Sequence, residues 1–182
     1  MKRQLLPATI AGLIALPVAA QDLDIAVQTI NSGFDPINWG NNAAPLLYNV
    51  YDTLIEREPF TSPLTYIPGL ATEWEQVEPT IWELTLRDDV TMHDGTVMDA
   101  EDVAYSLNRI FAHEQADFMS SWGTFFYNFD RVEVVDPLTV RIHTLRPEPL
   151  FEALISLRTA GIVSKEHYEE NGLEYAQRFP VG

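Results

Sequence analysis

The sequence has no cysteine. That excludes disulfide bonds, thiolate metal centres and a cysteine nucleophile, and it leaves no thiol to carry a lipid anchor. Basic residues are scarce: 11 Lys and Arg stand against 27 Asp and Glu, for a net charge of −16. Nucleic acids are held through Lys and Arg on phosphates, so nucleic acid is excluded as a partner, and an anionic membrane surface is disfavoured for the same reason. After the first twenty residues there is no apolar run long enough to span a bilayer, and there are no repeats or low-complexity tracts. What is present suits a packed core. The 182 residues are 46% hydrophobic and include 4 Trp, 7 Tyr and 9 Phe. The excess acid reads as a solvated surface.

Residues 1–20 read as a secretory signal peptide. Lys2 and Arg3 open it, Leu5 to Val18 is mainly apolar, and Val18-Ala19-Ala20 offers small residues for cleavage. Cleavage after Ala20 removes two positive charges and no acid, taking the net charge from −16 to −18. The expected location is a periplasm, reached without a lipid anchor.

The most informative stretch runs from Trp82 to Arg109. Trp82, Leu84 and Leu86 alternate with Glu83, Thr85 and Arg87, the period of a half-buried strand. Val90 and Met92 resume one face, and Asp94-Gly95 marks a turn. Asp99 then offers a helix N-cap with Asp102 three residues on, and Ala100, Val103, Ala104, Leu107, Ile110 and Phe111 form one helical stripe.

This block resembles the family 5 extracellular solute-binding proteins of ABC importers. The matching residues are Leu86-Arg87, His93-Asp94-Gly95-Thr96 and Ala100-Glu101-Asp102-Val103, with Asp99 and Met92 where the family usually has Thr and Phe. Phe34-Asp35-Pro36, Tyr51-Asp52-Thr53-Leu54 and Pro68-Gly69-Leu70-Ala71-Thr72-Glu73-Trp74 extend the resemblance. It implies an α/β fold, periplasmic binding protein type II-like (cluster C). Residues 21–44 would begin the first lobe, 45–158 would form the small extra domain, and 159–182 would return into the first lobe. Phe179-Pro180-Val181-Gly182 resembles the point where the family continues into a second lobe, so the expectation is a truncated chain that binds ligand weakly by itself.

Several elements are expected along the chain. Asp24–Thr29 reads as a strand, and helical spacing of Leu46, Leu47, Val50 and Leu54 predicts a helix over 45–55. Residues 56–68 read as turns. Arg131 to Leu145 reads as a hairpin, Pro147 to Leu157 as a helix, and Arg158 to Val163 as an extended return; Ser164 and Gly172 bracket a short helix. Trp74 and Trp82 are expected in the core, and Tyr48 and Tyr51 in packing roles. The aromatic cluster from Phe118 to Phe129 reads equally as a core plug or as a loop presenting Trp122 to a ligand.

Three residues are candidates for ligand contact. Trp39 lies in a polar loop and could be a stacking wall, Trp122 sits in the aromatic cluster, and Arg158 suits a ligand carboxylate. For each, a structural role is the competing reading; for Arg158 it is an ion pair. No catalytic residue, metal ligand or cofactor is expected. His113-Glu114-Gln115-Ala116-Asp117 imitates half a zincin motif but has Asp where the second His belongs.

The resemblance implies a monomeric binding protein that captures a small peptide or similar solute and delivers it to ABC permease subunits in the inner membrane. One alternative is a secreted acidic hydrolase using paired carboxylates, of which Glu73 with Glu75, Asp88 with Asp89, and Glu101 with Asp102 are the candidates. Another is a degenerate remnant that binds nothing.

Overall fold

A computed structural model describes residues 33–38, 47–58, 60–112 and 123–182. Its centre is a four-stranded antiparallel sheet, built from β3 (Ala71–Glu78), β4 (Ile81–Leu86), β5 (Phe129–Asp136) and β6 (Thr139–Thr144) in the order β3-β4-β6-β5. A separate hairpin pairs β1 (Ile55–Arg57) with β2 (Tyr66–Pro68). Register puts Trp74, Leu84, Val140 and Val134 in one row across the sheet, all on the core face. Glu75, Glu83, Arg141 and Glu133 form the adjacent row on the outer face. This is the two-sided pattern of an antiparallel sheet with one wet face.

Helix α1 (Ala100–Phe111) packs against the core face. Its sequence signals act as read: Asp99 Oδ1 accepts the N–H groups of Glu101 and Asp102, and Asp102 Oδ2 accepts that of Asp99 at 3.1 Å. Val103, Ala104, Leu107, Ile110 and Phe111 are buried beneath it. The core continues through an aromatic stack of Phe111, Phe126, Phe129 and Phe151, on which Trp82 lies flat at 4.3 Å. Trp74 and Trp82 are half-buried and pack on this core. Phe126 and Phe129 thus act as a core plug, while Phe125 and Tyr127 face solvent.

Three short helices complete the described chain: α2 (Phe151–Ile155), α3 (Lys165–Asn171) and α4 (Leu173–Arg178). Ser164 caps α3, and Gly172 ends it at a φ of +78°, where a side chain would be strained. No helix among the described residues is long and apolar enough to cross a membrane.

Two expected helices are corrected. Within 45–55 the described chain is helical at Leu47, turns through Tyr48–Val50 and then runs extended into β1, so the expected helix stops short of its predicted end; residues 45–46 lie outside the described residues. The backbone there has distant partners: Ile162 donates to Asp52, Leu70 to Thr53, and Gly69 and Ala71 to Leu54. Those bonds displace the local i→i−4 pattern. The helix expected over 147–157 is confined to Phe151–Ile155 and gives way to a 3-10 turn at Arg158–Ala160, so the return segment is extended only from Gly161. Residues 56–68, expected as turns, contain the β1–β2 hairpin. The expected signal peptide, the strand at 24–29 and the His113–Asp117 stretch lie outside the described residues.

Candidate functional site

A hollow of about 480 Å³ opens where the turn at Tyr48, strand β1 and the segment after α2 meet. Tyr48, Thr53, Glu56, Arg57, Leu64, Ser156 and Arg158 line it. A narrower cleft of about 200 Å³ lies on the other side of Tyr48, walled by Tyr51, Met92, His93, Met98 and Ile162. Tyr48 contributes to both and is 56% exposed, so it is a partition between them and not the packing residue its spacing suggested.

Arg158 is the most unusual group in the larger hollow. Its guanidinium lies over the Tyr48 ring, its Nε is buried with no hydrogen-bond partner, and no carboxylate among the described residues pairs with it. The ion pair weighed as its structural role is therefore corrected: the partner is an aromatic face. Burial pulls its pKa down to about 10, with no neighbouring acid to offset the desolvation. A guanidinium presents a planar fork of N–H donors, and a half-buried, unneutralised one is matched by a carboxylate or another flat anion.

The neighbouring Arg57 is engaged. Its Nε donates to Ser156 Oγ at 2.9 Å and its Nη2 to the Ala153 carbonyl at 2.6 Å, near the end of α2 where carbonyls lack helical partners. That clamp fixes β1 against α2 and so sets one wall. Glu56 is an exposed residue on the lining of the hollow, with a pKa raised by burial first and by the charge of Asp52 second.

Behind the site lies a buried charged cluster. Asp35 ion-pairs with Arg109, with side chains 1% and 9% exposed, and the Arg109 guanidinium lies 4.5 Å from the centre of the Tyr168 ring and 5.4 Å from that of Tyr105. Burial, followed by the charge of Asp35, pushes the Tyr168 hydroxyl above its ordinary range; burial likewise raises Tyr51. Leu47, Tyr51, Val163, Tyr168 and Ala176 make a second apolar cluster around it.

Members of two of the candidate carboxylate pairs have other duties. Asp89 binds Arg87, Glu101 binds Lys165, and Asp102 caps helices. Glu73 and Glu75 lie with Glu83 along a hollow on the open face of the sheet. His93 Nδ1 accepts the Gly182 N–H at 3.1 Å, and Asp94 accepts from Thr96. Among the described residues no group of three or more His, Asp or Glu side chains is placed to hold a metal ion.

Of the three predicted contact residues, Arg158 lines the hollow, while Trp39 and Trp122 lie outside the described residues. Sequence reasoning missed Glu56 and Arg57. The alternation of Ile55, Glu56 and Arg57 carries a strand signal, but three residues are too few to stand out among prolines.

The architecture is that of the type II periplasmic binding proteins. The chain superposes on MoaA of A. tumefaciens R10, solved with mannopinic acid, at a TM-score of 0.71 and 27% identity, over 82% of this chain and 30% of that one. It superposes on NikZ of Campylobacter jejuni, solved with Ni(L-His), at 0.69 and 27%, over 86% and 30%. Residues 65–182 match the family described as bacterial extracellular solute-binding proteins, family 5 Middle, and the chain belongs to that family. The Dipeptide-binding protein of Escherichia coli is 28% identical over 179 residues, covering 87% of this chain and 32% of that protein. The chain thus spans about a third of the length of these relatives.

Proposed function

We propose that the protein is the substrate-binding component of an ABC importer, capturing a small peptide or similar solute in the periplasm and handing it to permease subunits in the inner membrane. The observation that carries the reading is Arg158: a half-buried guanidinium without an acid partner among the described residues, lining a hollow of about 480 Å³. Small-molecule sites occupy about 300–1,000 Å³ and favour junctions between domains. A charge held out of water without a partner costs stability, which a ligand carboxylate would offset.

In this reading residues 1–20 export the chain and are removed, 21–44 begin one lobe, 45–158 form the small domain, and 159–182 return to the lobe. A second apolar cluster joins Leu47 and Tyr51 to Val163, Tyr168 and Ala176, so the start of the 45–158 segment packs on the returning one. Trp39 and Trp122 are proposed as further ligand walls. Binding by this chain alone is weak, because closure of two lobes is what buries a ligand on all sides. The chemistry is recognition without bond-making, in line with relatives whose names are those of binding proteins.

Crystals soaked in a concentrated mixture of short peptides test the site. A peptide carboxylate forked on Arg158 is the expected result. Occupancy confined to the acidic face lined by Glu73, Glu75 and Glu83 would overturn it.

A further inference from the structure

We propose that the buried Asp35–Arg109 pair positions Arg158: the two residues hold the turn on which the Arg158 segment rests, and so fix its guanidinium at the hollow without touching a ligand themselves. The proposal rests on reading Arg158 as a ligand contact and adds to it two positioning residues.

The two oxygens of Asp35 have different tasks. Oδ1 accepts the Ile37 N–H at 3.0 Å and so shapes the 3-10 turn Pro36–Asn38. Oδ2 accepts from Arg109 Nη2, in the last turn of α1. One carboxylate thus forms the turn and fastens it to a helix that is packed on the sheet. Phe34 secures the approach, donating its N–H to the Gln177 carbonyl of α4 at 2.7 Å. The fastened turn in turn packs on the 3-10 turn Arg158–Ala160. Ile37, Ala160 and Ile162 are buried in one apolar cluster. A Cβ at Gly161 would lie 3.5 Å from Pro36 Cγ and 3.0 Å from Tyr51 Cβ, so the backbone leaving the Arg158 turn is closely confined.

A buried ion pair is a poor source of stability, because the desolvation of both charges offsets their attraction. What it supplies is direction. A charged hydrogen bond fixes a distance and an angle, which apolar contacts do not. Arg158 depends on such backing, since no carboxylate among the described residues holds its guanidinium. A contact side chain keeps its geometry only where the structure behind it is locked. The chain of contacts from Arg109 through Asp35 and Ile37 to the 158–160 turn provides that lock.

The test separates positioning from stability in the variant Asp35→Leu with Arg109→Met, where removing both charges restores most of the stability lost in Asp35→Ala. The readout is NMR of the Arg158 side chain. Its Nε–H is buried and its guanidinium lies over the Tyr48 ring, so the proton exchanges slowly and carries a ring-current shift. The expected result is a double variant that unfolds near the native urea midpoint, loses that shift, and binds Ala-Ala about tenfold more weakly, as misalignment of one charged hydrogen bond implies. An unmoved Nε–H resonance, or an Ala-Ala affinity equal to that of the native chain, would overturn the positioning role and leave the site reading intact. If Ala-Ala does not bind the native chain at Arg158, the site reading falls, and the Nε–H resonance still decides whether the pair holds the guanidinium. Should the double variant fail to fold, Asp35→Asn decides: it keeps an oxygen for the Ile37 N–H but not the charge on Arg109, and an unmoved Nε–H resonance there overturns the proposal.

Discussion

Asp102 and Lys165 are joined across two helices by a single hydrogen bond: Oδ1 of Asp102 accepts the backbone N–H of Lys165, the first residue of α3, at 2.8 Å. The other oxygen of the same carboxylate accepts the Asp99 N–H at the start of α1. One side chain thus satisfies orphan donors at two helix starts and ties the start of α3 to that of α1. Asp102→Ala should cost about 2 kcal/mol by urea unfolding, roughly the sum of two capping bonds.

The same residue sets a pH dependence. Burial, ahead of the hydrogen bonds from Lys165 and Asp99 that oppose it, raises the Asp102 pKa above its ordinary value. A carboxyl raised in the folded state takes up its proton there first. Its contribution to unfolding free energy therefore increases as pH falls through the folded-state pKa toward the unfolded value of about 3.9. The stability gap between the native chain and Asp102→Asn should widen in favour of the native chain over that interval, measured by denaturant midpoints. A gap that narrows on acidification would contradict the assignment.

The Asp35–Arg109 pair predicts an asymmetry. Asp35→Ala leaves the guanidinium buried among Tyr105 and Tyr168 without its acid and should cost about 3–5 kcal/mol. Replacing both partners, as Asp35→Leu with Arg109→Met, should recover most of that loss, because the desolvation of both charges disappears with them. Chemical unfolding of the two variants side by side checks it.

Gly69 is required by close approach and not by its backbone angle. A Cβ there would stand 2.3 Å from the Thr53 carbonyl oxygen and 3.1 Å from that of Leu54, so Gly69→Ala should destabilise by about 1–3 kcal/mol and displace β1. Gly95 has a φ of +90° and open space around it; Gly95→Ala should cost about 1–2 kcal/mol through strain alone and leave the hollow unchanged. Amide shifts around Glu56 and Arg57 separate the two effects.

Local signals were legible where local interactions decide the structure. The cap at Asp99, the stripe of α1, the alternation of β4 and the hairpin of β5 and β6 all depend on near neighbours, and each formed as read. The failures share a cause. At 52–54 the backbone is claimed by residues 69–71 and 162, which no window along the sequence contains. Strand β3 was not read because it is an edge strand whose Glu73, Glu75 and Glu78 obscure the apolar period, the kind of charge that discourages edge pairing. The helix over 147–157 was overextended: Arg57, far off in sequence, bonds the Ala153 carbonyl, and Ser156 turns back onto it.

Of the candidate hollow, sequence reasoning named one lining residue, Arg158, and misread its neighbour Tyr48. Arg158 stood out because the resemblance brings its segment close to a cleft where a guanidinium suits a carboxylate, and the acidity of the chain suggested an ion pair as its structural role. The structure gives it the Tyr48 ring, a contact made where residues 48–50 turn and periodicity predicted a continuing helix. With the turn beginning at Tyr48, that side chain lines the hollow and not the core.

The most direct measurement compares ligand binding and stability in Arg158→Gln. Titration of the native chain with Ala-Ala, followed by NMR, should give saturable millimolar binding that the variant loses, while the variant unfolds at an equal or higher urea concentration because a half-buried charge with no carboxylate partner among the described residues has been removed. Unchanged binding in Arg158→Gln, or a variant destabilised as though an ion pair had been broken, would contradict the account.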